Sequence, residues 1–144
     1  MALSLISELG GVILGNYDDE FILPALGDGT TKAGMAVYIN TAGQAVATDV
    51  NVTDIFLGFA LPAKDIDLDT AITSGKQMGV VVPKAGHLYG TFIVDLNLGG
   101  AGLGLIPTTT AGSLGTVTDV EAHVMAYTYT YNDGDTVGII IYQG

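Results

Sequence analysis

The stretch His123-Val-Met-Ala-Tyr-Thr-Tyr-Thr-Tyr131, followed by Asn132-Asp-Gly-Asp135 and Thr136-Val-Gly-Ile-Ile-Ile-Tyr142, decides the fold class. From His123 to Tyr131 the odd positions are bulky and the even positions small. A side-chain period of two belongs to a strand, whose successive residues point to opposite faces. Asp-Gly at the break tolerates the positive φ angles of a tight hairpin turn, and the Val- and Ile-rich run behind it is the returning strand.

Working outward from that hairpin, the same grammar recurs. Glu20-Phe-Ile-Leu-Pro24 reads as a short strand stopped by proline, and Leu26-Gly-Asp-Gly-Thr30 as a turn. Met35–Ile39 is a strand, Asn40-Thr-Ala-Gly43 a hairpin tip and Gln44–Thr48 its return. Ile55-Phe-Leu-Gly-Phe-Ala-Leu61 is apolar throughout and short enough for a buried strand. Gln77–Val82 ends at Pro83, and Gly86–Val94 follows after a turn. Many short strands with turn signals between them predict an all-β fold, a small β-barrel or β-sandwich. No internal repeat of solenoid type is visible.

Two segments stand apart. Residues 1–17 form an apolar N-terminal arm punctuated by Gly10, Gly11 and Gly15, ahead of a single β domain over 18–144. Leu3, Leu5, Ile6, Leu9, Val12, Ile13 and Leu14 are too greasy to stay in water. The arm packs on its own domain, reaches to a neighbour, or forms a first strand of the core. Residues 95–116, with Leu98-Gly-Gly-Ala-Gly-Leu-Gly-Leu-Ile-Pro107, read as a long Gly-rich loop whose Leu98, Leu103 and Leu105 must lie against something.

Charge narrows the function. The 144 residues hold 15 Asp and Glu against four lysines, with no arginine, for a formal net charge of −11. Nucleic-acid affinity rests largely on Lys and Arg neutralising phosphates, so DNA and RNA are disfavoured partners. Anionic membranes are disfavoured on the same ground. The absence of cysteine excludes disulfides and thiolate metal sites. The start lacks the basic region of a signal peptide, and no apolar run is long enough for a membrane-spanning helix.

Residues able to do chemistry are sparse. His87 and His123 are the only histidines. A hydrolytic dyad would pair one of them with Ser74 or Ser113, but Ala111 stands where a nucleophile elbow needs glycine. Asp65-Ile-Asp-Leu-Asp69 spaces three carboxylates like the first half of a calcium loop, with Thr70 and Lys76 where that loop needs glycine and glutamate. A solvated acidic edge is the better reading, with no metal and no cofactor expected. Gly99-Gly-Ala-Gly-Leu-Gly104 meets neither the dinucleotide nor the P-loop spacing. Tyr127, Tyr129 and Tyr131 suit a stacking platform or, more simply, core and interface.

The order Lys32-Ala-Gly-Met-Ala-Val-Tyr-Ile39, Gly43-Gln-Ala-Val-Ala-Thr48, Ile55-Phe-Leu-Gly-Phe-Ala60, Ser74-Gly-Lys-Gln-Met-Gly-Val-Val-Val82 and the closing Asn132–Ile141 resembles the head decoration (cement) proteins of tailed phages. The resemblance covers residues 24–94 and the last hairpin, and omits the arm and the Gly-rich segment. It implies a non-enzymatic virion protein on the capsid exterior, a homotrimer at local threefold positions that holds neighbouring major capsid proteins together. The candidate interface is then Leu3, Leu5, Ile6, Leu9, Val12, Ile13, Leu14, Leu98, Leu103, Leu105, Tyr127 and Tyr129. On this view, deleting residues 2–14 weakens assembly more than folding. The alternatives are a carbohydrate-binding or adhesive module using the three tyrosines, an enzyme pairing His87 or His123 with Asp65 or Asp67, and a turret or tail-tube subunit.

Overall fold

In the computed structural model, which describes residues 2–15, 19–49, 56–94, 104–108, 110–116, 124–132 and 134–144, a 3-10 turn at Ile6–Leu9 precedes ten strands. The first five are β1 Phe21–Leu26, β2 Ala36–Ile39, β3 Ala45–Ala47, β4 Gly58–Ala60 and β5 Gln77–Val82. The second five are β6 Leu88–Ile93, β7 Gly104–Pro107, β8 Ser113–Thr116, β9 Ala126–Thr130 and β10 Val137–Tyr142. The all-β expectation holds.

The two sets of five share one topology. In the first, β1 pairs with β5, β5 with β4, β4 with β2 and β2 with β3, all antiparallel. A parallel bridge from Leu26 to Gln44 then brings β1 back to the β3 end. In the second, β6 pairs with β10, β10 with β9, β9 with β7 and β7 with β8, and β8 lies parallel to β6, closing a barrel. Numbered from its own start, each ring runs first, fifth, fourth, second, third, first, and only the third-to-first contact is parallel. The chain is a tandem pair of one barrel topology, closed in the second unit and, in the first, a five-stranded sheet whose ends meet at the Leu26–Gln44 bridge. Its sequence carries a faint echo of this: Ser74-Gly-Lys-Gln-Met-Gly-Val-Val-Val82 against Asp133-Gly-Asp-Thr-Val-Gly-Ile-Ile-Ile141, and Thr41-Ala-Gly-Gln44 against Thr110-Ala-Gly-Ser113. Gly43 and Gly112 hold φ of 79° and 82°, the left-handed region that a residue with a side chain adopts at a cost.

Two cores follow from the pairing. Val37, Ala60, Met78 and Val80 fill the first barrel. Phe59 and Val81, on the opposite face of the same strands, join Tyr89, Leu105, Val137 and Ile140 in a larger core shared with the second. Strands β4 and β5 are therefore apolar on both faces, which is why the run at 55–61 lacks alternation. The Phe59 and Tyr89 rings, 5.5 Å apart, join the units. Backbone bonds pin them further: Ala36 N–H donates to Gly112 O at 2.9 Å, and Gly112 N–H to Thr48 O at 2.9 Å.

Three expectations are corrected. Pro24 does not end its strand but sits inside β1. Leu26 donates its N–H away from β5, to Gly43 O at 2.9 Å, and alternation turns residue 24 to that same outer side, where no ladder bond is lost to a proline. Residues 95–116 are not one long loop, because β7 and β8 lie within them, with Leu105 and Leu114 fully buried. Glycine hid these strands: Gly104 and Gly115 add nothing to a hydrophobic period, yet small residues let barrel strands approach.

The alternation of the last hairpin also fails at one point. Ile139 pairs with Thr130 and Ile140 with Thr128, so Tyr129 is an extra residue in a bulge. The bulge turns Tyr129 and Thr130 outward together and carries Tyr131 into the core. Of the placements open to the N-terminal segment, packing on its own domain is the one the structure has. Leu3 N–H donates to Asp135 Oδ1 at 2.7 Å, and Thr136 N–H to Leu3 O at 2.8 Å. Gly90 N–H donates to Val12 O at 2.8 Å, and Leu14 N–H to Leu88 O at 3.3 Å, so residues 12–14 lie antiparallel along β6. Glu8 takes the Ser4 and Leu5 N–H groups at 3.0 and 2.9 Å, which seats the 3-10 turn.

Candidate functional site

The residues expected to face a partner divide sharply. Ile6, Val12, Ile13 and Leu105 are buried in the core of their own chain and offer nothing to a second one. Their burial follows from barrel closure, since the space between 3-10 turn, β6 and β10 would otherwise be a void. Leu3, Leu9 and Leu14 are half-buried, Tyr127 likewise, while Leu5 and Tyr129 are 45 % and 51 % exposed. Leu98 and Leu103 lie outside the described residues, as does His123. The three-tyrosine platform is not assembled, because Tyr131 is buried on the other side of the bulge.

Among the described residues, the most exposed large apolar side chain lies in what the sequence marks as an ordinary strand. Phe21 is 58 % exposed and its neighbour Ile22 is 43 % exposed, both at the start of β1. Antiparallel pairing to β5 runs the length of β1, from Phe21 opposite Val82 to Leu26 opposite Gln77. The outer side of β1 is met only at its far end, by Gly43 and Gln44. Among the described residues, nothing pairs with the outer edge of Phe21–Leu23. Just beyond, Pro24, Ala25, Leu26, Gly43, Gln77 and Met78 line an open depression of about 400 Å³. An exposed apolar strand edge is a template for pairing with another chain, and proteins normally cover it or charge it.

Behind that edge sits a polar cluster that spacing could not reveal, since its members are 67 and 69 residues apart. The Glu20 side chain, 1 % exposed, lies 2.6 Å from His87 Nδ1, and the Tyr89 hydroxyl donates to Glu20 Oε2 at 2.7 Å. Lys84 N–H donates in turn to the Tyr89 oxygen at 2.9 Å. A carboxylate here accepts from both neighbours, which places the proton of a neutral His87 on Nδ1. Burial, and then the hydrogen bond to Glu20, push the Tyr89 hydroxyl well above its ordinary range, so it stays a donor throughout the working pH range. The cluster ties the start of β1 to the start of β6. Replacing Tyr89 with Phe is expected to cost about 1–3 kcal/mol, because Glu20 loses a donor and Lys84 N–H its acceptor. Urea unfolding of Tyr89→Phe checks this, and an unchanged midpoint would show the bonds to be dispensable.

Other candidate chemistry disperses. His87 meets Glu20, not Asp65 or Asp67. Residues 64–70 are turns with Asp65 at φ 65°, and Asp69 Oδ1 accepts Ser7 N–H at 3.2 Å. Among the described residues, no three His, Asp or Glu side chains gather as a cation site. No helix among them is long and apolar enough to cross a membrane. No protein-family model matches the chain, and no curated protein matches it.

Proposed function

We propose that this is a structural virion protein that binds the outer surface of an icosahedral capsid and stabilises contacts between its major capsid proteins, as a trimer at local threefold positions. The observation that supports this reading best is the open apolar start of β1 on a double barrel of net charge −11. Such a surface buries poorly in water and well against another protein, while the acidic remainder stays solvated and repels nucleic acid. Many copies on a lattice add weak contacts through multivalency. The carbohydrate reading loses ground, since its platform requires Tyr131 beside Tyr127 and Tyr129 at the surface.

Mixing the purified protein with undecorated phage heads, followed by sedimentation, tests the proposal. Wild-type chain is expected to pellet with heads at a saturating stoichiometry. The double substitution Phe21→Ser with Ile22→Thr is expected to weaken attachment by about ten-fold or more, as removal of a central apolar anchor does, with little change in melting. A strictly monomeric protein that ignores such heads would refute the reading.

A further inference from the structure

The tandem topology supplies a reason to expect a particular occupant for the β1 edge. Strands β1 and β6 are the first strands of their barrels and each is six residues long. Each is paired along one side by the fifth strand of its ring, β5 or β10. On the other side each meets its third strand only near its far end: Leu26 meets Gln44, while Phe92 and Ile93 meet Ser113 and Leu114. The near half of that side is therefore left over in both barrels. In the second barrel it is filled: residues 12–14 run antiparallel along Leu88–Gly90, with Gly90 N–H and Leu88 O both bonded to them. In the first barrel the outward-facing positions at the start of the strand are Ile22 and Pro24, and no such strand meets them among the described residues; Pro24 lacks the N–H that Gly90 gives to Val12, so Ile22 is the residue able to exchange both backbone groups.

The backbone groups there point the right way. Leu26 donates outward, to Gly43, and alternation places Ile22 N–H and C=O on the same outward side. Pro24 offers only a carbonyl. Phe21 and Ile22 flank the site with exposed apolar surface, whereas Val12 and Ile13, which fill the twin edge, are buried there. Charge argues against a second copy as occupant, since each chain carries −11 and holds only four lysines.

We propose that the open edge of β1 at Phe21–Leu23 accepts, by strand addition, an extended apolar segment flanked by lysine or arginine and supplied by a different protein. The segment would lie along the first barrel as residues 12–14 lie along the second, but held by both backbone groups of Ile22 and by the Pro24 carbonyl. Strand addition takes affinity from main-chain hydrogen bonds and specificity from alternate side chains. The inference deepens the shell-binding reading and rests on it for the partner's identity. The measurement below needs no heads, so the two fail separately.

The probe is the fluorescently labelled peptide Lys-Gly-Gly-Val-Ile-Leu-Gly-Lys, which copies residues 10–15 between two lysines, titrated into the full chain and read by anisotropy. Saturable binding is expected, weakened about ten-fold when the flanking lysines are replaced by glutamate. Ile22→Pro removes the single outward N–H while leaving the β5 side of the ladder untouched, and is expected to abolish binding without moving the melting temperature. Should Ile22→Pro melt early, Phe21→Ser provides the second variant and is expected to weaken the peptide about ten-fold. Peptide that does not bind, or binds Ile22→Pro as well as wild type, overturns the proposal. So does concentration-dependent dimerisation of the wild type that Ile22→Pro abolishes, which would make a second copy the occupant.

Discussion

A chain lacking residues 2–14 is expected to lose cooperative folding altogether, not merely its ability to assemble. The deletion strips Ile6, Val12 and Ile13 from the shared core, where all three are buried. Each is worth roughly 1.5–3 kcal/mol in apolar burial, so together they approach the 5–15 kcal/mol that holds an ordinary domain folded. Further losses follow. Asp135, almost wholly buried, keeps the Asn132 N–H at 3.0 Å but loses the Leu3 N–H, leaving a buried carboxylate short of a donor. The Leu88–Gly90 edge of β6 would be opened beside the Tyr89 ring. Circular dichroism melting of the truncated chain should show no sigmoidal transition, with strong binding of a hydrophobic dye at room temperature. A truncated chain that melts within a few degrees of the full one would place the arm outside the core.

That outcome reverses the expectation read from sequence, and the reason is instructive. Residues 2–15 show no helical or strand period because each short piece does something different: a 3-10 turn at Ile6–Leu9, then a three-residue strip along β6. Apolar content told that the segment must be covered; it did not tell by what. The strands with clear turn punctuation, β2–β3, β5, β6 and β9–β10, were legible, since positive-φ glycines such as Gly43 and Gly134 mark their turns. Strands β7 and β8 were not, because a glycine-rich strand has too few side chains to show a period. The bulge at Tyr129 also left no mark, as register is set by pairing and not by the strand alone. The repeat is faint in the sequence because two barrels of one topology need only share turn glycines and apolar type. Val80-Val-Val82 and Ile139-Ile-Ile141 satisfy that equally well. The Glu20, His87 and Tyr89 cluster is assembled only when the two barrels dock, and Phe21 and Ile22 look like core residues until the sheet edge is known.

Gly58→Ala is expected to be the most damaging single methyl group that can be added to a described glycine. Gly58 lies in β4, between β2, where Val37 is its partner, and β5. A Cβ there would overlap the carbonyl oxygen of Val81 and stand 2.9 Å from its carbonyl carbon and 3.1 Å from Val80 Cγ1. The obstacle is backbone, which cannot rotate aside as a side chain can. Relief requires β5 to move off β4, and β5 holds both cores at once through Val80 on one face and Val81 on the other. The cost should exceed the roughly 1–3 kcal/mol of ordinary overpacking. Gly15→Ala is the control: a Cβ there meets nothing within 4 Å and its φ is not positive, so a change within about 0.5 kcal/mol is expected. Urea titration of both variants decides the matter, and equal midpoints would mean that β4 and β5 are less closely pressed than the structure has them. Because β1 hangs on β5 along its whole length, a folded remnant of Gly58→Ala should also present a displaced Phe21–Leu23 edge. Loss of peptide binding in that variant, at temperatures where β6–β10 still gives a native signal, would locate the binding edge on the first barrel and not on its twin.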